Sequence, residues 1–270
     1  MQQQIASQLR LLYRIDPTTM RSILPPPFAA IEQNGFGVAG IDFERIVRDR
    51  GNGTGVVVDY VSHWFAVESE VDGVICRYMP RRDTNSHLDT LYWNNGHTSV
   101  LNQSDIEREE KKGTYSYTLQ SNAKVALLAE KGSHQSALFA SPQAMVAYLA
   151  PLTKAYYPTD QKGLYEGLDY DAVFAGKLDN IKPLVVSHQH SNLFSVNDLF
   201  PEESIQFDSA YRMPRFEQTY SELDILIVSA CQADFVDTFA PHGIKEEYHA
   251  NLTPENEHLN KPPAIPLTDS

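Results

Sequence analysis

The residues with the most chemistry in the shortest span are Arg77-Tyr78-Met79-Pro80-Arg81-Arg82-Asp83-Thr84-Asn85-Ser86-His87. A guanidinium offers a planar fork of donors that matches a carboxylate or phosphate, an aspartate can orient one fork, and a threonine adds a hydroxyl. Arg81, Arg82, Asp83 and Thr84 therefore have two readings: they grip a small anionic molecule, or they form a salt-bridged network that braces a strand end. The chain is acidic, with 22 Lys+Arg against 35 Asp+Glu, so a compact cationic cluster stands out. Glu68 lies just upstream and would serve as general acid or base if burial raised its pKa.

Other chemistry-bearing spacings point to ordinary roles. His188 and His190 would project from one face of a strand, as zinc or iron ligands do, but no HxxE, HExxH or CxxC supplies a third ligand. His87 and His97 flank an Asn/Gly-rich stretch that reads as a loop. There is no G-x-S-x-G elbow, and Cys76 and Cys231 lie far apart in sequence, which suits reduced core cysteines. Gly35-x-Gly37-x-x-Gly40 spells a dinucleotide fingerprint without the buried strand before it or the helix after it, so it reads as a glycine-rich strand start. A lysine beside a second cation can form a Schiff base, but Lys111-Lys112 adjoins Gly113 and the charges of Glu107 to Glu110, which suits a solvated hairpin turn. Neither a cofactor nor a metal is expected.

The elements that must position these residues are mostly strands. Asp16 is a good N-cap and Pro17 fits the first helical position, so a short helix begins there and Pro25-Pro26-Pro27 stops it. Ser141-Pro142 opens a second helix by the same logic, ending at Pro151. Strands are expected from Gly37 to Val47, Val56 to Ser69, Thr114 to Gln120, Val125 to Ala129, Asp171 to Phe174, Leu184 to His190, Ser204 to Met213 and Leu223 to Ser229. Asp72-Gly73 signals a two-residue hairpin turn. That turn would set Glu68 opposite Arg77, Trp64 opposite Arg81 and His63 opposite Arg82, gathering the cluster beside one carboxylate. Residues 1–233 read as one domain and 234–270 as a polar, extended tail. The fold class expected is α+β, built on a large antiparallel, cone-like or closed sheet with a central cavity and a few short flanking helices.

Composition bounds the rest. The chain of 270 residues is 42% hydrophobic, enough for a sizeable core, and its net charge of -13 argues against nucleic-acid binding. No apolar run is long enough for a membrane span, and Met1-Gln2-Gln3-Gln4 lacks the features of a signal peptide, so a cytoplasmic protein is expected. A homo-oligomer is compatible with the sequence.

Tyr13-Arg14-Ile15-Asp16 followed by Leu24-Pro25-Pro26-Pro27 resembles the opening of the acetoacetate decarboxylase superfamily. The His63 to Glu68 strand, Met79 to Ser86, Leu138-Phe139-Ala140-Ser141 and Leu199 to Ala210 resemble an uncharacterised bacterial branch of it. The resemblance spans about residues 10–225 and implies a cone-like or closed antiparallel structure with an internal cavity. It also implies that Glu68 matches an acidic cavity group. Where decarboxylases carry Gly-Arg-Glu…Pro-Lys-Lys, this chain reads Gly96 to Asp105 with no lysine, which argues against Schiff-base chemistry. The resulting expectation is a cavity protein acting on a small organic acid, with His63, Arg77, Arg81, Arg82, Asp83 and Thr84 as ligand-binding residues and Glu68 as catalytic. Its alternatives are non-catalytic binding and a lysine-dependent decarboxylase.

Overall fold

A computed structural model describes residues 2–49, 54–70, 73–96, 101–120, 124–158, 164–173, 180–191, 205–213, 216–229, 232–236 and 265–266. The elements run β1 (Gln2–Ile15), α1 (Pro17–Ile23), β2 (Phe28–Ala30), β3 (Glu32–Gln33), β4 (Phe36–Asp49), β5 (Thr54–Ser69), β6 (Ile75–Thr84) and α2 (His87–Gly96). They continue with β7 (Asn102–Gln103), β8 (Asp105–Lys111), β9 (Thr114–Gln120), β10 (Lys124–Lys131), α3 (Pro142–Leu149), β11 (Lys154–Pro158) and β12 (Leu164–Val173). The last are β13 (Lys182–Ser191), β14 (Ile205–Met213), β15 (Phe216–Ser229), β16 (Gln232–Val236) and β17 (Ile265–Pro266). The expected domain boundary at 233/234 falls within β16, and residues 237–264 of the expected tail lie outside the described residues.

Local chemistry explains the helices. Asp16 accepts from the Thr19 N–H at 2.9 Å, and Ser141 accepts from the Ala144 N–H at 3.1 Å, each with proline in the first turn. The Asn/Gly-rich stretch expected as a loop contains α2 instead. Ser86 Oγ accepts from the Asp89 N–H at 3.1 Å and the Ser86 carbonyl from the Thr90 hydroxyl at 2.9 Å, so an N-terminal cap outweighs the poor helix formers further on.

The sheet is organised around a four-stranded antiparallel wall, β1–β4–β5–β6. Two circuits close on it. One runs from the end of β6 in parallel to β7, along the chain into β8, and through β9, β10, β13 and β14 back to β1 at Gln8 to Ile15. The other leaves the start of β6 in parallel to β11 and passes through β12 and β15 to β1 at Gln2 to Ile5. The circuits use opposite corners of the wall, and a twisted sheet curls its two diagonals toward opposite faces. The expected closed, mainly antiparallel α+β architecture is therefore present.

Both faces of the wall are buried. The first carries Leu9, Leu11, Tyr13, Ile41, Phe43, Val61 and Phe65 against Tyr115, Tyr117 and Leu119 of β9. The second carries Leu12, Val38, Trp64 and Ala66 against Met145, Val146 and Leu149 of α3 and Tyr157 of β11. Each such side chain contributes about 1.5–3 kcal/mol on burial. Burial on both sides also hid β1 in the sequence, because it lacks a clean in–out alternation. Asp208 of β14 ties down the segment before α3: its carboxylate accepts from the Ala137 N–H at 2.8 Å, the Leu138 N–H at 3.3 Å and the Ser136 hydroxyl.

The β5–β6 register differs from the one expected. The Gly73 N–H donates to the Ser69 carbonyl at 2.8 Å and the Ser69 N–H to the Val74 carbonyl at 2.9 Å, so four residues, 70–73, close the hairpin in place of two. Glu68 is then opposite Ile75, and Arg77 is opposite Ala66. A second shift follows where Trp64 faces both Met79 and Pro80, and beyond it His63 pairs with Arg81 and Ser62 with Arg82. Pro80 has no N–H for the ladder, which favours a bulge there.

Candidate functional site

Strand alternation divides the cationic segment. Arg81 and Asp83 share the first face with His63, whereas Arg77, Arg82 and Thr84 turn to the second. Glu68 is exposed at the hairpin end. The segment is thus divided between the two faces of the wall.

On the first face Arg81 donates to Asp83 through Nε at 2.7 Å and Nη2 at 2.8 Å, and the Ser104 hydroxyl donates to the same carboxylate at 2.6 Å. Burial, reinforced by the Arg81 charge, pushes the His63 pKa down to about 3, so this imidazole is neutral at physiological pH. Further along this face Arg45 forms a bidentate pair with Asp59 at 2.8 Å, and Arg108 stacks on Tyr117 at 5.1 Å while donating to Glu110. Thr84, from the other side, donates to the Asp59 carbonyl at 3.1 Å. Carboxylates answer these guanidiniums closely, which is how a strand-end brace is built.

The second face has a different character. Cross-strand pairing lays out three rows: Gln8, Glu44, Tyr60 and Thr84; Arg10, Asp42, Ser62 and Arg82; and Leu12, Gly40 and Trp64. Arg10 grips Asp42 through Nε at 2.8 Å and Nη2 at 2.7 Å, and Arg77 approaches the same carboxylate at 3.7 Å. The Gln8 amide N–H₂ bridges Glu44 at 2.7 Å and Asp42 at 3.3 Å. The guanidiniums of Arg10 and Arg77 each lie 5.7 Å from the Trp64 ring, and Arg82 stacks on Tyr60 at 4.4 Å and Trp93 at 5.3 Å. Trp64 can lie there only because residue 40 is glycine: a Cβ at Gly40 would sit 2.2 Å from Trp64 Cζ2. The glycine-rich start of β4 thus makes room for an indole.

Burial and ion pairing together set the charges on this face. Burial, then the neighbouring Asp42, raise the Glu44 pKa, against the pull of Arg82, Arg77 and Arg10. Burial, then the Arg10 charge, lower the Arg77 pKa to about 10. Burial works against the charge on Arg10, but Asp42 outweighs it and the pKa rises. Three guanidiniums thus surround two carboxylates in aromatic surroundings.

Gln8, Arg10, Asp42, Glu44 and Trp64 were not recognised from sequence as site residues. The acids interspersed in the Gly37 to Val47 strand were the available signal; Arg10 had none, because β1 itself was missed. A buried amine was missed too: Lys154, at the start of β11, is 9% exposed with Nζ 5.5 Å from the Tyr156 ring. It shares a face of its strand with Tyr156, which packs in the first core. Lys111 and Lys112 are exposed, and the run expected as a solvated turn is mostly β8, with the turn itself at Lys112-Gly113. His188 and His190 fall on β13, but their side chains lie outside the described residues. Among the described residues no group of three or more His, Cys, Asp or Glu is placed to hold a metal, and no helix is long and apolar enough to cross a membrane.

The architecture is that of the acetoacetate decarboxylase-like proteins. No family model matches the chain, and no curated protein matches it. Among solved structures, it is similar to acetoacetate decarboxylase from Legionella pneumophila subsp. pneumophila str. Philadelphia 1, with a TM-score of 0.56 and 10% identity over 88% of each chain. It is similar to the enduracididine biosynthesis enzyme MppR complexed with pyruvate, with a TM-score of 0.54 and 12% identity over 88% of this chain and 91% of that one. An acetoacetate decarboxylase-like enzyme from Sphingomonas wittichii RW1 gives 0.50 and 10% over 87% and 92%. At these identities the likeness is one of fold.

Proposed function

We propose that this protein binds a small organic acid on the second face of the wall and acts on it, with Arg77 and Arg82 receiving the carboxylate. Glu44 takes the role expected of Glu68: raised in pKa by burial, it is suited to give or take a proton. The observation that carries this reading is the set of three guanidiniums, Arg10, Arg77 and Arg82, acting on one half-buried carboxylate beside Trp64. Arg10 and Arg77 already meet Asp42, and Arg82 lies over Tyr60, whose hydroxyl donates to Asp89, so an incoming carboxylate would share these guanidiniums with the protein's own acids. Arg81, Asp83 and His63 support the site from behind, and Thr84 fixes the strand end. The pyruvate in the MppR structure supports a short carboxylate as the ligand class.

Thermal-shift measurement against a panel of short carboxylates tests the binding. A saturable rise in Tm is expected, and Arg82→Gln should abolish it. Glu44→Gln should keep binding and remove turnover; if turnover persists, Glu44 is not the acid or base, and if the wild type binds a carboxylate but turns none over, the protein is a binder and not an enzyme. If no carboxylate raises Tm, or Arg82→Gln lowers stability but leaves the response intact, the anion site is wrong.

One observation favours a second reading, lysine-dependent decarboxylation: Lys154 is a buried amine on an aromatic ring. A lysine amine is the nucleophile that such chemistry requires. An amine and a keto acid form an imine with loss of water, and borohydride reduces that imine to a stable secondary amine. Trapping that disappears in Lys154→Arg would support this reading, and absence of any adduct would end it.

A further inference from the structure

The stretch from residue 133 to the end of α3 at Leu149 is attached differently from the strands around it. Its last backbone tie is just upstream, where the Gly132 N–H donates to the Pro183 carbonyl at 3.0 Å. From 133 to 149 no backbone group pairs with the backbone of another described element. Side chains make the attachment instead. The Asp208 carboxylate accepts from the Ala137 and Leu138 N–H groups and from the Ser136 hydroxyl. The Asn34 amide donates to the Leu138 carbonyl at 2.8 Å, and the Gln33 amide donates to it at 3.2 Å. His134 Nε2 meets the Phe139 carbonyl at 2.9 Å and so carries the proton, which leaves Nδ1 to accept from the Tyr211 hydroxyl at 3.1 Å.

Other bonds stay within the stretch and hold its shape. Ser136 Oγ accepts from the Leu138 N–H at 3.1 Å and the Phe139 N–H at 3.0 Å, and Ser141 caps α3. Its underside, with Leu138, Phe139, Met145, Val146 and Leu149, is buried in the same core as Leu12, Val38 and Trp64, while Gln143 and Ala147 are exposed. The wall is buried on both faces and tied by ladders, whereas this stretch is buried on one face and has no ladder, so it belongs to the less stable part of the fold. Closure also has a cost. Trp64 Nε1 and the Tyr148 hydroxyl are buried without a hydrogen-bond partner, and the Tyr148 ring lies 5.4 Å from that of Phe139. Each loses its hydration with nothing in return, and opening restores water to it.

We propose that residues 133–149 form a cover over the second face that opens as one unit while the wall stays folded, with Asp208 as its latch. What the opening admits rests on the carboxylate site proposed above: a ligand would reach Trp64 and the guanidiniums of Arg10 and Arg77 beside it. Arg77 also donates to the Leu152 carbonyl, three residues beyond α3, at 3.4 Å, so a residue of that site borders the cover.

Hydrogen exchange of the full chain without ligand, read amide by amide by NMR, tests the cover. After correction for intrinsic rates, the Leu138, Phe139 and Met145 amides should exchange at least about tenfold faster than those in the middle of β4 and β5. Asp208→Asn keeps the shape of the latch but removes its charge from three donors. It should speed all three cover amides by a further tenfold or so, Met145 included although Asp208 does not bond to it, and leave β4 and β5 unchanged. Tyr148→Phe removes the unpaired hydroxyl and should slow the same amides about fivefold. Equal protection of cover and wall in the wild type overturns the proposal. So does Asp208→Asn that speeds Leu138 and not Met145, or speeds cover and wall alike, and so does Tyr148→Phe that fails to slow the cover. If Asp208→Asn does not fold, the wild type and Tyr148→Phe decide. With no carboxylate present, a failed cover leaves the carboxylate site standing, and a carboxylate panel without binding leaves the cover standing.

Discussion

Gly40→Ala probes the contact on which the second face depends. The added Cβ would lie 2.2 Å from Trp64 Cζ2, 2.4 Å from Cε2 and 2.8 Å from Nε1, far inside van der Waals contact. The clash falls on the rigid ring itself, which already has the Arg10 and Arg77 guanidiniums 5.7 Å from its centre, so Trp64 has to leave its place. Overpacking of this kind costs about 1–3 kcal/mol. Displacing the ring also loosens its contacts with Arg10 and Arg77, at roughly 0.5–1 kcal/mol each. Reduced backbone freedom in the unfolded chain returns about 0.4–1 kcal/mol. The net expectation is a loss of about 2–4 kcal/mol, which for a chain of this size is a fall in Tm of roughly 4–8 °C. Urea titration at fixed pH, followed by circular dichroism, measures it. Trp64→Leu should lose stability alone but relieve the clash, so the double variant should lie well above the sum of the two single losses. Gly40→Ala within about 0.5 kcal/mol of wild type, or strict additivity with Trp64→Leu, would refute the packing argument.

Asp42→Asn leaves Arg10 and Arg77 without their shared counter-ion in a buried setting and should cost about 3–5 kcal/mol in denaturant titration. His63 sets an acid limit: its folded pKa, near 3, lies below the ordinary 6.5, so its contribution is present above pH 6.5 and is lost as pH falls toward 3. Wild type should therefore lose about 1.4 kcal/mol per pH unit in that window through this group, a slope that His63→Phe removes when stabilities are compared at several pH values. Glu68→Gln, at an exposed position, should change stability by less than about 0.5 kcal/mol and leave ligand-induced Tm shifts unaltered.

Part of this arrangement was legible beforehand. Arg77, Arg82 and Thr84 do belong to one face, and the closed sheet expected from strand count and family resemblance is present. Alternation along β6 already implied that Arg81 and Asp83 must part from Arg82 and Thr84; the assumed register obscured it. The error began at the turn. A four-residue closure and a bulge at Pro80 each moved the pairing, so His63 met Arg81 and Glu68 was left at the exposed end.

By itself the sequence determined what depends on neighbours in the chain. Asp16-Pro17 and Ser141-Pro142 start helices because a side-chain oxygen reaches an N–H three residues on and proline forfeits no bond there. Alternating Tyr115, Tyr117 and Leu119 make a one-sided strand for the same local reason. Tertiary structure decided what depends on distant partners. Gly40 became the seat of Trp64, Glu44 gained a raised pKa from burial beside Asp42, and Arg10 became an anion-holding residue through a strand more than thirty positions away. Burial, register and charge environment are properties of pairs and layers, so they exist only once the wall has formed.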